Sequence, residues 1–251
     1  MECLNIIGWA LVAAFIFFRI YKENQKRKII KSVTQLSRGE RSERDLIYRL
    51  VKEGIPASTI FHDLYFPNEH GHTQVDLVIP TNIGIFVFEV KDYSGWIFGN
   101  AKSKKWTQIL AYGRERHQFY NPIMQNEGHI TALRNTTEQL QNIPIYSVIV
   151  FYGSCILKNI NNIPLNCQIL YPESTPQYVK NLIANTTPAP YTDKWEIMRI
   201  LKSCVDNGGN EAIRSTHQQK VQQVYYGRYQ SSYSMNYKHI LRFRKFRRHR
   251  F

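Results

Sequence analysis

Hydrophobic and polar residues alternate along the middle of the chain in patterns typical of a compact α/β unit over residues 32–151. In "SERDLIYRLVKEG", Leu46, Ile47 and Leu50 recur at helical spacing before Gly54, a residue that commonly ends helices. The stretches "STIFHDLYFP", "TQVDLVI" and "GIFVFEVKDY" predict strands, and "PTNIG" is expected to join the last two as a hairpin.

The pattern continues with a helix in "NPIMQNEGHITALRNTTEQL", where Asn121 is the expected N-cap and Pro122 the first helical residue. The hydrophobic "IPIYSVIVFY" predicts a strand inside the sheet. Beyond it, "NCQILYP" predicts a strand, and "TPQYVKNLIAN" and "DKWEIMRILKSCV" predict helices, which make residues 152–206 a C-terminal α/β extension of the core. After "DNGGN" the composition turns polar, so order is expected to decay over the tail, residues 207–251.

The N-terminal segment is apolar on all sides, with no charged residue from Cys3 to Phe18, and a basic run begins at Arg19. This predicts a transmembrane helix and a basic juxtamembrane segment over residues 1–31. The positive-inside rule then predicts a single-pass protein of the cell (inner) membrane, with its C-terminal domain in the cytoplasm. A buried core helix in a cytoplasmic protein and a secretory signal peptide are the competing interpretations.

Charge adds information about partners. The 251-residue chain carries a formal net charge of +14, which favours polyanions, meaning nucleic acid or an anionic membrane surface. Its four cysteines are scattered without zinc-site spacing, so they are expected to be reduced and structural.

The last residues of the chain alternate basic side chains with phenylalanines in "LRFRKFRRHRF". Arginines follow phosphates and aromatic rings stack on bases, which favours nucleic-acid binding, whereas the same charges would also suit anionic lipid or a solvated tail. The candidate nucleic-acid-binding residues are Arg242, Arg244, Lys245, Arg247 and Arg248.

The hydrophobic strand predicted in "GIFVFEVKDY" contains a conflict. Strand alternation puts Glu89 and Lys91 on one face, and a symmetric hairpin puts Asp76 directly across from Glu89. Two opposed carboxylates repel each other, so we expect a divalent cation held by Asp76 and Glu89, with Lys91 beside it. Taken singly, Glu89 and Lys91 could be an edge-strand polar pair, and Asp76 could satisfy the amides of a turn.

A third carboxylate comes from the first predicted helix. Glu43 lies on the stripe of Leu46 and Leu50 that faces the sheet, where an acid needs either a metal or a basic neighbour. Glu40 is expected to act mainly as a helix cap, because Ser37 precedes it by three residues as in a capping box.

Several other residues have side chains of types found in functional sites, but we expect them to have structural roles. His129 lies one helical turn after Gln125 on the same face, so both could contact phosphate or order water, but a structural role is expected for His129. The aromatic residues Tyr93, Trp96 and Trp106 could contact nucleic acid, but they are expected to be buried. His70 and His72 are expected to be loop residues, because the sequence offers no third metal ligand at suitable spacing.

The order of these acidic and basic residues resembles the PD-(D/E)XK nuclease superfamily, and more closely its nuclease-related domain (NERD) family. The resemblance rests on "RGERSERDLIYRL", "TQVDLVI", "GIFVFEVKDYSGWIFG", "KKWTQ" and "NPIMQNEGHITAL", in that order. It implies a restriction-endonuclease-like core, a mixed sheet flanked by helices, and it aligns Gln125 with the glutamine of the family's N-P-x-x-Q motif. Leu77 departs from the pattern, since family members often carry histidine directly after the strand aspartate. The residues that it implies as catalytic are Glu43, Asp76, Glu89, Lys91 and Gln125.

The resemblance and the expected carboxylate cluster predict an enzyme, a membrane-anchored nuclease that depends on Mg²⁺ or Mn²⁺. Asp76, Glu89 and Glu43 would hold the metal, and the substrate would be nucleic acid, expected to be DNA. The alternative is a non-catalytic, nuclease-like module that binds nucleic acid or a protein partner at the membrane.

Overall fold

The computed structural model describes residues 2–69, 71–220 and 222–223 of the chain. It is a mixed α/β structure with two mixed sheets flanked by helices. The helices are α1 (Glu2–Lys31), α2 (Arg41–Lys52), α3 (Pro122–Arg134), α4 (Thr175–Asn185) and α5 (Lys194–Asn207). The strands are β1 (Phe61–Asn68), β2 (Gly71–Thr81), β3 (Gly84–Asp92), β4 (Gly95–Asn100), β5 (Lys105–Leu110), β6 (Glu115–Tyr120), β7 (Ile145–Tyr152), β8 (Cys155–Asn161) and β9 (Cys167–Leu170).

The five-stranded sheet runs in the order β1-β2-β3-β7-β9 and contains the predicted hairpin. β1, β2 and β3 pair antiparallel, whereas β3, β7 and β9 pair parallel. The β2–β3 ladder runs from Thr81 opposite Gly84 to Leu77 opposite Phe88, which is the symmetric register that the sequence predicts. The hydrophobic β7 lies inside the sheet between β3 and β9, as predicted.

Helices cover both faces of this sheet. α2 and α4 pack on the face that carries Leu77, Phe86 and Phe88. α3 and α5 pack on the opposite face, which carries Val78 and Val87. Strand alternation therefore turns Glu89 and Lys91, which follow Val87 at every second position, towards α3.

The four-stranded sheet has the order β6-β5-β4-β8 and was not predicted from the sequence. Its strands are short, and β6 is exposed along most of its length, so its residues lack the apolar alternation that marks a strand. One face of this sheet packs through Ile97 and Trp106 against Phe151 of β7. The prediction that Trp106 is buried is therefore confirmed, whereas the same prediction for Trp96 is wrong, because Trp96 lies on the solvent face.

The helix termini correct one prediction and confirm another. α2 begins at Arg41 with Glu40 as its N-cap residue, and the Glu40 side chain makes no capping hydrogen bond, so the predicted capping box with Ser37 is wrong. Asn121 caps α3 as predicted, since its side chain accepts hydrogen bonds from the backbone N–H groups of Ile123 and Met124.

Two further predictions concern the ends of the chain. Among the described residues, no helix has both the length and the apolar character needed to cross a membrane, so the transmembrane helix expected within residues 1–31 is not supported. Residues 211–220 are helical, and most of the tail for which a loss of order is expected, residues 224–251, lies outside the described residues. The described cysteines Cys155, Cys167 and Cys204 are buried free thiols, as expected for reduced structural residues.

Candidate functional site

The site forms where the β2–β3 ladder ends. The last ladder pair is Leu77 with Phe88, and continuing the register by one residue brings Asp76 opposite Glu89. In place of a main-chain ladder bond, the Asp76 side chain accepts a hydrogen bond at Oδ2 from the Val90 backbone N–H, over 2.7 Å. The carboxylate thus satisfies a donor that the separating strands leave free.

Glu89 and Lys91 form an ion pair on the face of β3 that α3 covers. The Lys91 Nζ lies 2.5 Å from the Glu89 Oε1, as their shared face predicts. Lys91 also donates to the Gln125 Oε1 over 3.1 Å, so β3 and the first turns of α3 meet at this ammonium group. Glu89 is almost completely buried, and Lys91 is partly exposed.

A second hydrogen bond to Glu89 comes from α3. The His129 Nε2 lies 3.0 Å from the Glu89 Oε2, and the His129 Nδ1 lies 3.1 Å from the Thr73 Oγ1. An ionised carboxylate only accepts hydrogen bonds, so His129 donates from Nε2. A structural role was expected for His129, but its contact with Glu89 was not predicted, although the four-residue spacing from Gln125 places both side chains on one helix face.

Glu43 reaches the site from α2 and has a histidine partner of its own. The His62 Nε2 lies 2.9 Å from the Glu43 Oε2, and the His62 Nδ1 lies 2.9 Å from the Thr34 Oγ1. Both Glu43 and His62 are buried. His62 was missed because it stands singly in a hydrophobic strand, where no sequence pattern links it to a helix 19 positions before it.

Gly39 makes room for this second pair. Its φ of +63° is in the left-handed region, and a Cβ at this position would lie 2.3 Å from the Glu43 Oε2 and 2.4 Å from the His62 Nε2. Only glycine combines that backbone conformation with so close an approach.

The charged groups of the site shift one another's pKa values, and the two neighbouring carboxyl groups shift in opposite directions. Burial raises the pKa of Asp76 well above its usual value, and the neighbouring charges of Glu89 and Glu43 raise it further. For Glu89, burial also favours the neutral acid, but Lys91 and His129 outweigh it and lower the pKa. For Lys91, burial favours the neutral amine, but the carboxylates of Glu89 and Asp76 outweigh it and raise the pKa. Glu89 is therefore held ionised beside a charged Lys91, whereas Asp76 resists ionisation.

A buried asparagine fixes α3 against the sheet behind these side chains. The Asn126 Nδ2 donates to the Val87 backbone carbonyl over 2.9 Å and to the Ser147 Oγ over 2.8 Å. It thereby joins α3 to both β3 and β7. This residue was also missed, because a polar residue in the first turns of a helix is usually solvated.

The structure brings together Glu43, Asp76, Glu89, Lys91 and Gln125, the five residues that the resemblance implied. Asp76, Glu89 and Glu43 nevertheless form hydrogen bonds within the protein, and no group of three or more His, Cys, Asp and Glu residues in the described part of the chain is arranged to hold a metal ion. His72 lies in β2, which corrects its assignment to a loop, and His70 lies outside the described residues. So do the five basic residues predicted to bind nucleic acid, Arg242, Arg244, Lys245, Arg247 and Arg248.

Comparison with known proteins identifies the segment that contains this site. Residues 38–152 match the family model of the nuclease-related domain. Residues 38–152 are a nuclease-related domain. A relative that is 32% identical over 145 residues is an uncharacterised protein of Bacillus anthracis, and the match covers 57% of this chain and 66% of the relative. The chain thus spans just under two thirds of that relative's length. No solved structure matches the chain.

The nuclease-related domain contributes every residue of the site described above except Thr34. It contains α2, the hairpin and α3, together with most of the four-stranded sheet. A cleft of about 520 Å³ opens beside the site and is lined by Gln125 and His129, together with Thr73 and Tyr120. A ligand in this cleft would meet α3 on the side that carries the partners of Glu89 and Lys91.

Proposed function

We propose that the nuclease-related domain hydrolyses phosphodiester bonds in nucleic acid. The observation that carries this proposal is the combination of Asp76, which resists ionisation beside two other carboxylates, with the ion pair of Glu89 and Lys91 at the end of one hairpin. A fold that needed only stability would gain nothing from acids that repel each other, and perturbed titratable groups beside a cleft are typical of active sites.

In chemical type, the carboxylates suit a hard divalent cation such as Mg²⁺ or Mn²⁺, although as placed they are hydrogen-bonded within the protein and the described residues form no ready metal-binding group. Asp76 and Glu89 would hold it, with Glu43 close enough for its charge to act on Asp76. Their carboxylate oxygens retain acceptor capacity beyond the hydrogen bonds that they make. When bound, such a cation polarises a phosphate and acidifies a water molecule. A cation would also relieve the repulsion that raises the Asp76 pKa.

The side chains of the protein supply the remaining chemistry. Lys91, held by Glu89 and by Gln125, places a compact positive charge where negative charge develops on the phosphate. Gln125 orients the Lys91 ammonium group. His129 is a positioning residue, because its hydrogen bond fixes the Glu89 carboxylate.

The proposed substrate is nucleic acid because the net charge of the chain is +14, which attracts a polyanion. Among nucleic acids we propose DNA, as expected from the resemblance of the sequence. The predictions for localisation and for lipid partners stay predictions.

The test uses the full chain with labelled DNA and RNA, each with Mg²⁺, Mn²⁺ or a chelator. We expect cleavage that needs the metal and is lost in Asp76→Asn and Lys91→Met. Lys202→Met, which removes an exposed lysine paired with Asp206 on α5, is the matched control and should cleave normally. Calorimetric titration with Mg²⁺ gives a readout without turnover, and binding should weaken in Asp76→Asn.

A second candidate is a nuclease-like module that binds without catalysis. It is favoured by the hydrogen bonds that occupy all three carboxylates, Asp76, Glu89 and Glu43. Nucleic-acid binding without turnover in any metal would support this module and overturn the nuclease. Metal-dependent cleavage that survives both substitutions would instead show that the activity resides elsewhere.

A further inference from the structure

The four-stranded sheet presents an outer face that is aromatic and basic. Ile97 and Trp106 turn inward to the core, so alternation turns their neighbours outward. Cross-strand pairs confirm the face, since Trp96 lies opposite Ile109, and Ile109 lies opposite Arg116. We call this surface the outer face. Its side chains are Trp96, Phe98, Lys105, Thr107, Ile109, Arg116, Gln118, Tyr120 and Ile156, with Lys158 beside Trp96.

Three large side chains of the outer face are open to solvent. Trp96 is 36% exposed, Tyr120 is 37% exposed and Ile156 is 49% exposed. Exposed aromatic rings grouped on one face of a sheet are costly in water and are typical of binding surfaces. In the five-stranded sheet, by contrast, Phe86 and Phe88 are buried under α2 and α4.

The charges on the outer face have one sign. Lys105 and Arg116 are exposed, and the Lys158 Nζ lies 5.2 Å from the centroid of the Trp96 ring. None of the described side chains on this face is acidic, since Glu115 of β6 pairs with Leu110 and faces the other way. Basic groups interleaved with exposed rings match a ligand that carries both phosphates and flat, apolar bases.

The outer face continues into the site. Tyr120, at the end of β6, lies opposite Lys105 on this face and also lines the cleft with Gln125 and His129. The next residue, Asn121, donates through Nδ2 to the backbone carbonyls of Ala101 and Ser103, each over 2.8 Å, while its Oδ1 caps α3. The sheet is thus fixed to the helix that positions Gln125.

The geometry points to a stacking platform on which single-stranded nucleic acid lies before it enters the cleft beside Lys91 and Gln125. Trp96 and Tyr120 stack on bases, while Lys105, Arg116 and Lys158 contact phosphates. A duplex keeps its bases inside and offers no ring faces to such a surface, so the outer face favours single strands. Two copies of the face would oppose like charges, which disfavours self-association. This inference rests on the proposed function, because it names the substrate class of the same site.

The test measures binding apart from cleavage. Fluorescence anisotropy is recorded with the full chain in chelator, using a labelled single strand of about 20 nucleotides and the matching duplex, as DNA and as RNA. We expect the single strand to bind more tightly than the duplex. Trp96→Ala and Tyr120→Ala should each weaken single-strand binding roughly 5- to 100-fold, the usual loss when one stacking ring is removed.

The matched control is Trp195→Ala, which removes a tryptophan that is 75% exposed on α5, away from the outer face. It should bind as the unmodified chain does. Lys105→Glu with Arg116→Glu is the second variant, and it should weaken binding and reduce its salt dependence without touching the core.

Unchanged affinity in the aromatic variants, or duplex binding at least as tight as single-strand binding, would overturn the platform. Dimerisation that Trp96→Ala abolishes would also overturn it, because the outer face would then be a self-interface. Asp76→Asn separates the two proposals, since it should bind single strands normally while cleavage is lost. If the chain binds single strands through Trp96 but never cleaves them, the stacking platform is supported and the proposed nuclease activity is overturned.

Discussion

His129 on α3 and Glu89 on β3 lie 3.0 Å apart, measured from Nε2 to Oε2, and this contact joins the helix to the hairpin at a buried carboxylate. Lys91 contacts the other oxygen of the same carboxylate. Glu89 is therefore held by a separate partner at each carboxylate oxygen. These two contacts fix the position of its charge at the end of β3, beside the cleft.

Replacing His129 tests how much this contact contributes to stability. His129→Phe removes a donor to Glu89 and the partner of the Thr73 hydroxyl, so we expect the free energy of unfolding to fall by about 1–3 kcal/mol. Urea denaturation in chelator measures it. His117→Phe, at an exposed position of β6, is the control and should change stability little. Equal denaturation midpoints for the two variants would show that the Glu89 contact contributes nothing.

Lys91 is expected to hold the two carboxylates together. Lys91→Met leaves Glu89 and Asp76 without their shared cation, so at neutral pH we expect a loss of about 2–4 kcal/mol in stability. Adding Asp76→Asn removes one of the repelling charges and should restore part of that loss, but not cleavage. Denaturation of both single variants and the double variant measures the coupling. Strict additivity of the two changes would contradict a shared electrostatic cluster.

The raised pKa of Asp76 predicts that its charge destabilises the metal-free protein. The folded state holds this proton more tightly than the unfolded state, whose pKa is near 3.8, so stability falls as the pH rises through the interval between the two pKa values. Asp76→Asn keeps an acceptor for the Val90 N–H and removes the charge. We expect this variant to be more stable than the unmodified chain at neutral pH, with the gain disappearing below the unfolded pKa.

Urea midpoints measured in chelator between about pH 4 and pH 8 give this profile. Asp206→Asn, at an exposed ion pair with Lys202, is the control and should show no comparable gain. Added Mg²⁺ should stabilise the unmodified chain and have less effect on Asp76→Asn. If Asp76→Asn is less stable than the unmodified chain at neutral pH, the Asp76 charge does not destabilise the folded state through repulsion from Glu89 and Glu43.

Gly39 tests the position of Glu43. Gly39→Ala introduces both a disfavoured backbone conformation and a clash with Glu43 and His62, so we expect it to cost clearly more stability than the roughly 1 kcal/mol of the backbone effect alone. Gly54→Ala supplies the comparison, because Gly54 has a φ of +98° and open space around its missing Cβ. Urea denaturation measures the loss of stability in both variants. Equal losses would mean that Glu43 and His62 move aside for the added Cβ at no energetic cost.

Local patterns in the sequence were enough to predict the part of the site that lies on one hairpin. The alternation of β3 fixed Glu89 and Lys91 on one face, and the short connection fixed the register that brings Asp76 opposite Glu89. The side chain of Asn121 likewise determines where α3 begins. These features depend only on residues a few positions apart, so the geometry of the local backbone is enough to determine them.

The second sheet could not be predicted from local sequence patterns. β6 is exposed along most of its length, and β4 pairs with β8 across the intervening strands and α3. Short strands of mixed polarity are stabilised by their partners and not by their own pattern, so the sequence gives little sign of them. Trp96 was expected to be buried because its strand, β4, was not predicted; within the four-stranded sheet it lies on the outer face and is exposed.

The sequence by itself determined the hairpin, its facing acidic and basic residues, the helix that carries Gln125, and the strong positive charge. Only the tertiary structure decided that Glu89 is held by His129 and Glu43 by His62, and that Gly39 must be glycine. These contacts join residues that are distant in the chain, and their geometry depends on how whole elements pack. A periodic pattern specifies which face a side chain occupies, whereas packing specifies what that face meets.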